Sequence, residues 1–472
     1  MDDDLAYADC FTLQRRRVPA EQLVEVLLSR VTTVDAPGSP TALRSVLALS
    51  DRALPEARAS DQADPAGPLH GLPVLVKDNI EVAGLPSTAG ATSLASRPAI
   101  RDAPLVSRLR EAGAIILGTA NLSEWANIRS AHSTSGWSAV GGLTGNPWAL
   151  DRNAGGSSSG SGAALAAGLV PLAIGTETDG SITCPASLNG VAGIKPTVGS
   201  ISTDGVVPIS ASQDSPGPMA RTVDEVALLL EVLTAAPGIL DRTRSGVAGM
   251  RVGVARTWRT GHLRTDELFD ETVERVVAAG ALVHDVQAAV PAEQEGDDEL
   301  TVFLCELLDG MAAYLPTRGP GGPQDLGEVV AHEKRHASTE LIHFGHDGFE
   351  RALELGGTGT EAYREARARN LQWALGTCLE PAFAGADVLI APTFGPAWKS
   401  DLALGDHGAA SPITRAPAIA GWPIATAPMG LVDGLPVGLG AVGRPGSEAL
   451  LLAVCRVVEQ PSRPTWKLPS RG

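Results

Sequence analysis

The apolar run Leu169-Val170-Pro171-Leu172-Ala173-Ile174 reads as a short buried strand, and it opens directly into Gly175-Thr176-Glu177-Thr178-Asp179-Gly180-Ser181. This junction constrains the fold more than any other stretch. A strand that ends in Gly-Thr-x-x-x-Gly-Ser carries a hydroxyl onto a loop rich in free backbone N–H groups. Acyl-transfer chemistry needs that pairing of a nucleophile with donors for an oxyanion. A second glycine–serine cluster, Gly155-Gly156-Ser157-Ser158-Ser159-Gly160, lies 24 positions earlier. Between the two, Ser159 to Ala167 reads as a small-residue helix stopped by Gly168, suited to close packing and so to burial.

The rest of the chain alternates strands and helices. Strands are expected at 43–50, Leu72 to Val76, Ala114 to Leu117, 250–255, 280–286, Ala386 to Ala391 and Val437 to Val442. Helices are expected at 19–34, Leu105 to Ala112, around 298–315, 360–383 and 447–458, and after the capping box Thr222-Val223-Asp224-Glu225. Residues 59–68 read as a polar loop, and 129–162 as a Gly/Ser/Asn/Pro-rich stretch that serves function better than it serves a core. The alternation predicts an α/β fold with a mixed, twisted β-sheet sandwiched between α-helices. The chain is expected to be a single domain, 1–472: an N-terminal helical part to about residue 60, a core over about 61–297 and 385–472, and a helical cap excursion over about 298–384. With 472 residues, 44% of them hydrophobic, it can bury a large core.

Charge and cysteine usage narrow the function class. A net charge of −17 argues against nucleic acid and anionic membranes as partners. The five cysteines are scattered without a CxxC, and the start Met1-Asp2-Asp3-Asp4 lacks a basic and apolar leader. A reducing, cytoplasmic setting is expected, with no disulfide framework and no membrane span.

Lysine is scarce: five lysines stand against 32 arginines. One of them, Lys77, ends the apolar run Leu72-Pro73-Val74-Leu75-Val76. Lysine can lose its proton at an attainable cost where arginine cannot. An ordinary lysine has a pKa of ~10.4, and lowering it by ~3 units costs about 4 kcal/mol of cation solvation, which burial supplies. No histidine is close in sequence to Ser157 or Ser181, so Lys77 is the attractive base. Asp78 should point to the opposite side of the extended segment.

Gly155 to Thr197, GGSSSGSGAALAAGLVPLAIGTETDGSITCPASLNGVAGIKPT, resembles the amidase signature. The resemblance implies amide hydrolysis by a Ser–Ser–Lys triad through a covalent acyl-enzyme, without a cofactor. By motif, Ser181 corresponds to the nucleophile, Ser157 to the bridging serine whose peptide bond is cis in the family, and Lys77 to the base. The N–H groups of Thr178, Asp179, Gly180 and Ser181 correspond to the oxyanion loop. Further segments, among them Asn121 to Asn127, Ser135 to Ser138, Ser212 to Met219, Gly395 to Asp401 and Ala418 to Pro423, are similar to the bacterial peptide-amidase branch. That branch removes ammonia from C-terminal peptide amides, and it implies a monomer or homodimer acting on a short peptide amide. Asp179 stands where many family members have glycine, and Ser212 to Met219 departs from the form common in tRNA-dependent amidotransferase subunits.

Competing readings rest on other motifs. His332-Glu333-Lys334-Arg335-His336 is a literal HExxH on an expected helix and would suit a zinc metallohydrolase. A third ligand at the metzincin position is absent: residue 342 is Ile, and His343 is one position off. Glu350 and Glu354 are the remaining candidates. Gly156 to Gly160 also fits the GxSxG elbow, but a loop rather than a strand precedes it. Small aliphatic or aryl amides are the alternative substrates, and an amidotransferase-type subunit the alternative assembly. Cys184 reads as a small buried thiol. Trp125, Trp137, Trp398 and Trp422 are equally suited to a cleft wall and to the core.

Overall fold

The computed structural model describes residues 2–464 apart from 37, 40, 41 and 66. The outer ends of the expected 1–472 domain and part of the 59–68 loop therefore lie outside the described residues. The expected mixed α/β architecture is present. Thirteen strands form: β1 Val46–Leu49, β2 Pro73–Lys77, β3 Ile115–Ala120, β4 Trp137–Ser138, β5 Gly142–Leu143, β6 Leu172–Glu177, β7 Ala192–Lys195, β8 Ser215–Ala220, β9 Arg251–Val254, β10 Leu282–Asp285, β11 Val388–Pro392, β12 Ile424–Val432 and β13 Leu435–Val442. Eleven of them make one sheet in the order β1-β3-β2-β6-β8-β7-β12-β13-β11-β9-β10, and β4 and β5 pair separately.

Three neighbours in that sheet set up the site. β2 runs parallel to β3, with Lys77 opposite Ala120, and parallel to β6, with Val76 opposite Ile174. Their carboxyl ends therefore open on the same edge, where open α/β sheets hold ligands. β2, β3 and β6 are buried throughout, so the continuous apolar runs of the sequence reflect a sheet covered on both faces.

The helix Ser159–Ala166 is buried along its whole length. Its small residues are required by contact: a Cβ on Gly160 would lie 2.3 Å from the Ser45 carbonyl oxygen. The capping box expected at Thr222 is formed, with Glu225 donating its N–H to Thr222 and accepting from the Thr222 N–H. β9 and β10 flank the helix Leu263–Ala278 in parallel, as the β-α-β rhythm predicts.

Some boundaries differ from the sequence reading. The strand expected at Leu169–Ile174 starts at Leu172 and runs on to Glu177, so the loop itself begins only at Thr178. The expected loop at 59–68 is helical up to Gln62. β7, β8 and β12 were not expected, and the last two carry proline inside the strand. Pro216 and Pro218 stand two residues apart, so their missing N–H groups fall on one edge of β8. The ladder to β7 stops at Met219, short of both prolines. In β12 the register shifts between Pro428 and Gly430, a bulge that accommodates the proline.

The helix Glu293–Tyr314 packs across the site edge. Leu304, Leu307 and Met311 on this helix form a satellite core with Val329, Phe349 and Trp125. This burial accounts for the long apolar character of the segment, which by length and composition alone would suffice to cross a membrane.

Candidate active site

Lys77 is the last residue of β2 and is completely buried. Its Nζ donates to Ser157 Oγ at 2.8 Å, to Thr176 Oγ1 at 2.8 Å and to the Thr176 carbonyl at 3.2 Å. Asn79 Nδ2 donates to the same Thr176 hydroxyl at 3.0 Å. Desolvation pushes the Lys77 amine down to about 7, against the opposing pull of the Asp214 and Glu177 carboxylates. Burial therefore outweighs both charges and brings the neutral amine within reach near neutral pH. Asp78, as expected, serves elsewhere, accepting from the N–H and hydroxyl of Thr88.

Ser157 is also fully buried, and the Gly156–Ser157 peptide bond is cis. The next residue ties the two serine clusters together: Ser158 N–H donates to the Ser181 carbonyl at 3.0 Å. Ser158 Oγ and Ser159 Oγ are spent on backbone carbonyls, of Thr176 (3.2 Å) and Gly155 (2.6 Å). Ser157 is thus the serine of this cluster in contact with the lysine. Ser181 faces a cavity of about 310 Å³, together with Gly156, Thr178 and Asp179.

The loop carrying Ser181 is bracketed by two carboxylates. Glu177 Oε2 accepts from the N–H groups of Ile182 (2.7 Å) and Thr183 (2.8 Å), at the start of the helix Thr183–Asn189. Asp214 Oδ1 accepts from the Thr178 hydroxyl (2.6 Å), while its Oδ2 takes the N–H groups of Ile209 (2.8 Å) and Ser210 (3.0 Å). Burial raises both acids, Asp214 to about 6. Both brackets engage the flanks of the loop. Among the described residues, the N–H groups of Thr178, Asp179, Gly180 and Ser181 make no intramolecular hydrogen bond. Gly180 has φ +78°, a conformation that favours glycine. The arrangement supplies a hydroxyl beside four uncommitted N–H donors, backed by a buried amine of low basicity.

Sequence reading brought together Lys77, Ser157, Ser181 and the 178–181 loop, and the fold joins them. It missed Thr176, Asp214 and Glu177, although all three lie in or beside the quoted motifs. Only the chemistry of a buried amine that needs acceptors could have singled out Thr176. It also missed Glu299, Phe303 and Arg415, which line the cavity from distant parts of the chain. The four tryptophans belong to the core: none lines the cavity, whose wall at this point is Ala126, Asn127 and Ile128. Cys184 is buried in a small cluster with Leu188 and Trp398, and desolvation pushes its thiol up, away from nucleophilic use.

The HExxH residues are arranged for structure. Glu333 is fully buried and accepts from Trp125 Nε1 (3.1 Å), with its other oxygen 2.8 Å from His346 Nδ1. The His332 and His336 rings stack on each other, centroids 4.0 Å apart, and His332 Nε2 meets the Thr92 hydroxyl at 3.0 Å. Among the described residues neither histidine belongs to a group of three ligating side chains. Glu333 does lie within such a group, with Glu124 and Glu340, but Arg129 enters that cluster and pairs with Glu124. Among the described residues, the HExxH histidines thus meet no third ligand.

The chain is similar in sequence and fold to known amidases. The native peptide amidase of Stenotrophomonas maltophilia superposes with a TM-score of 0.90 at 38% identity, covering 97% of this chain and 99% of that one. A glutamyl-tRNA(Gln) amidotransferase subunit of Symbiobacterium thermophilum is 33% identical over 92% of both chains. A probable amidase of Arabidopsis thaliana is 34% identical over 73% of this chain and 70% of its own. The family model described as amidase matches residues 22–452, both serine clusters and Lys77 included. The chain therefore belongs to the amidase signature family of amide-hydrolysing enzymes.

Proposed function

We propose that this enzyme removes ammonia from the C-terminal carboxamides of short peptides, R–CONH2 + H2O → R–COO⁻ + NH4⁺. The observation that carries the catalytic assignment is the buried Lys77 Nζ, 2.8 Å from Ser157 Oγ and depressed to about 7. Neutral Lys77 accepts a proton from Ser157 as Ser157 takes one from Ser181. Ser181 attacks the carbonyl carbon, and the N–H groups of the 178–181 loop hold the oxyanion. Each such donor is typically worth ~2.7–4 kcal/mol of barrier. The proton returns through Ser157 to the leaving ammonia, and water then cleaves the acyl-enzyme.

The peptide preference is supported by the peptide amidase likeness and by the shape of the cleft. A second cavity, of about 400 Å³, shares Asn127, Ile128 and Leu300 with the one at Ser181. A chain of two or three residues advances ~3.3–3.6 Å per residue, so its C-terminal amide can sit at Ser181 while the preceding residues run into the neighbouring space. The helical segment 298–384 acts as the cap over this groove. The five free, buried cysteines favour a cytoplasmic setting. A second reading, hydrolysis of small aliphatic or aryl amides, is favoured by the modest volume directly in front of Ser181.

The test is ammonia release from Ala-Phe-NH2 in the presence of EDTA, beside Ser181→Ala. Release that resists EDTA and disappears in the variant is expected. Release from small amides alone would move the assignment to the second reading, and release abolished by EDTA would remove the triad from the chemistry.

A further inference from the structure

The cavity at Ser181 holds three charged side chains, and its walls pair only two of them. Glu299, 3% exposed, accepts from Arg415 Nε at 3.0 Å and from Gln213 Nε2 at 3.0 Å. Arg415 is thereby held by a carboxylate. Asp179 lies in the same lining, two residues before Ser181. Its Oδ1 is shielded from solvent yet has no hydrogen-bond partner among the described residues, and no ion pair of Asp179 is found among them. A buried acceptor with no donor is rare in folded proteins and calls for an explanation. The other carboxylate oxygen also accepts no hydrogen bond among the described residues, and Asp179 lines the substrate cavity.

The reaction proposed above poses a discrimination problem. A carboxamide and the carboxylate it becomes have nearly the same shape. The amide brings two N–H donors and no charge, and the product brings an anion and no donor. We propose that the Asp179 side chain is the specificity-determining group that separates them: its carboxylate at the cavity wall accepts an N–H from the carboxamide end of the substrate, and its charge expels the carboxylate product. The inference rests on the reading of Ser181 as the nucleophile. Repulsion between two carboxylates a few ångströms apart, in a site partly shielded from water, is worth about 10- to 100-fold in affinity. Arg415 feels the Asp179 charge more than that of Glu299, yet its guanidinium donates to Glu299. Burial and the Asp179 charge push the Glu299 carboxyl up to about 8, and no hydrogen bond or ion pair holds Asp179 itself among the described residues. The backbone N–H of Asp179 stays with the oxyanion loop, so the side chain can be changed without removing that donor.

The test compares the affinities of Ala-Phe-NH2 and of the free acid Ala-Phe for two proteins, Ser181→Ala and Ser181→Ala/Asp179→Asn, by calorimetry at pH 8. The amide should bind Ser181→Ala at least 10-fold more tightly than the acid. In the double variant that ratio should collapse towards one, chiefly through tighter binding of the acid. An unchanged ratio would overturn the role of Asp179 and leave the peptide-amide reading intact. Failure of both ligands to bind either protein would sink the inference together with that reading. If the double variant does not fold, product inhibition of the Asp179→Asn single variant carries the same information. The Ki of Ala-Phe should fall about 10-fold while KM for the amide changes by less, and an unchanged Ki would overturn the proposal.

Discussion

Lys77 and Lys195 are both fully buried, and each ends a strand of the same sheet. Desolvation depresses both, Lys77 to about 7 and Lys195 to about 8, and the Glu177 carboxylate opposes the depression in both. The difference lies in what each amine touches. Lys77 reaches two hydroxyls, of Ser157 and Thr176. Lys195 reaches the carbonyl oxygens of Trp422 (2.6 Å) and Pro196 (3.5 Å). A hydroxyl can pass a proton on, whereas an amide carbonyl only accepts a hydrogen bond. A neutralised lysine is therefore not in itself a base. It becomes one where a relay and a cavity adjoin it, and otherwise it is a tie between a strand end and a turn.

The sharpest way to break this contrast is to remove the amine at each site. Lys77→Met should lower kcat for ammonia release by about 10⁴-fold or more, since members of a catalytic unit fail together. The same variant should be more stable near neutrality. A lysine at ~10.4 unfolded and about 7 folded binds fewer protons in the folded state, so its contribution to stability rises with pH between those values. At pH 7 the deficit is greatest, and Lys77→Met should gain about 1–3 kcal/mol after the lost hydrogen bonds are counted. Urea unfolding at pH 7 and pH 9.5 would check this, and the gain should shrink at the higher pH. A loss of stability at both would mean that the amine is charged and well paired.

A smaller effect sharpens the electrostatics. Catalysis through neutral Lys77 should lose rate as pH falls through about 7. Asp214 raises the Lys77 amine, so Asp214→Asn should let it fall further and move the acid limb of kcat/KM down by about 0.5–1 unit. A limb that stays in place would assign that titration to another group. Lys195→Met is the control for burial without a relay: kcat/KM should stay within about 3-fold of the wild type, although the Trp422 carbonyl loses its donor. A 100-fold loss would erase the distinction between the two lysines. The smallest effect is expected at the stacked histidines, where His332→Ala should change activity by less than about 2-fold, as for most partly exposed substitutions away from a site.

Much of the catalytic floor was legible because its residues sit in short, contiguous motifs governed by local rules. A buried strand ending in lysine, a small-residue helix and a glycine loop each announce themselves through neighbouring residues. The cavity wall was not legible, because Glu299 and Arg415 are 116 residues apart and carry no motif. β8 was hidden by Pro216 and Pro218, which break the usual strand pattern and are tolerated only where the neighbouring ladder stops short of them. HExxH shows the opposite failure. Its spacing is correct for a metal site, but Glu333 turns inward to Trp125 and His346.

By itself, the sequence determined the identities and chain order of Lys77, Ser157 and Ser181, the α/β alternation, and a glycine- and serine-bearing loop after a buried strand, because these depend on residue type and on periodicity along the backbone. Tertiary structure alone decided which buried lysine meets a hydroxyl, which carboxylates bracket the loop, and that Asp179 lines the cavity with no hydrogen-bond partner for its carboxylate among the described residues. Those outcomes depend on desolvation and on contacts between segments distant in the chain, Lys77 with Ser157 across 80 positions and Lys195 with Trp422 across 227, which only the packed sheet brings together.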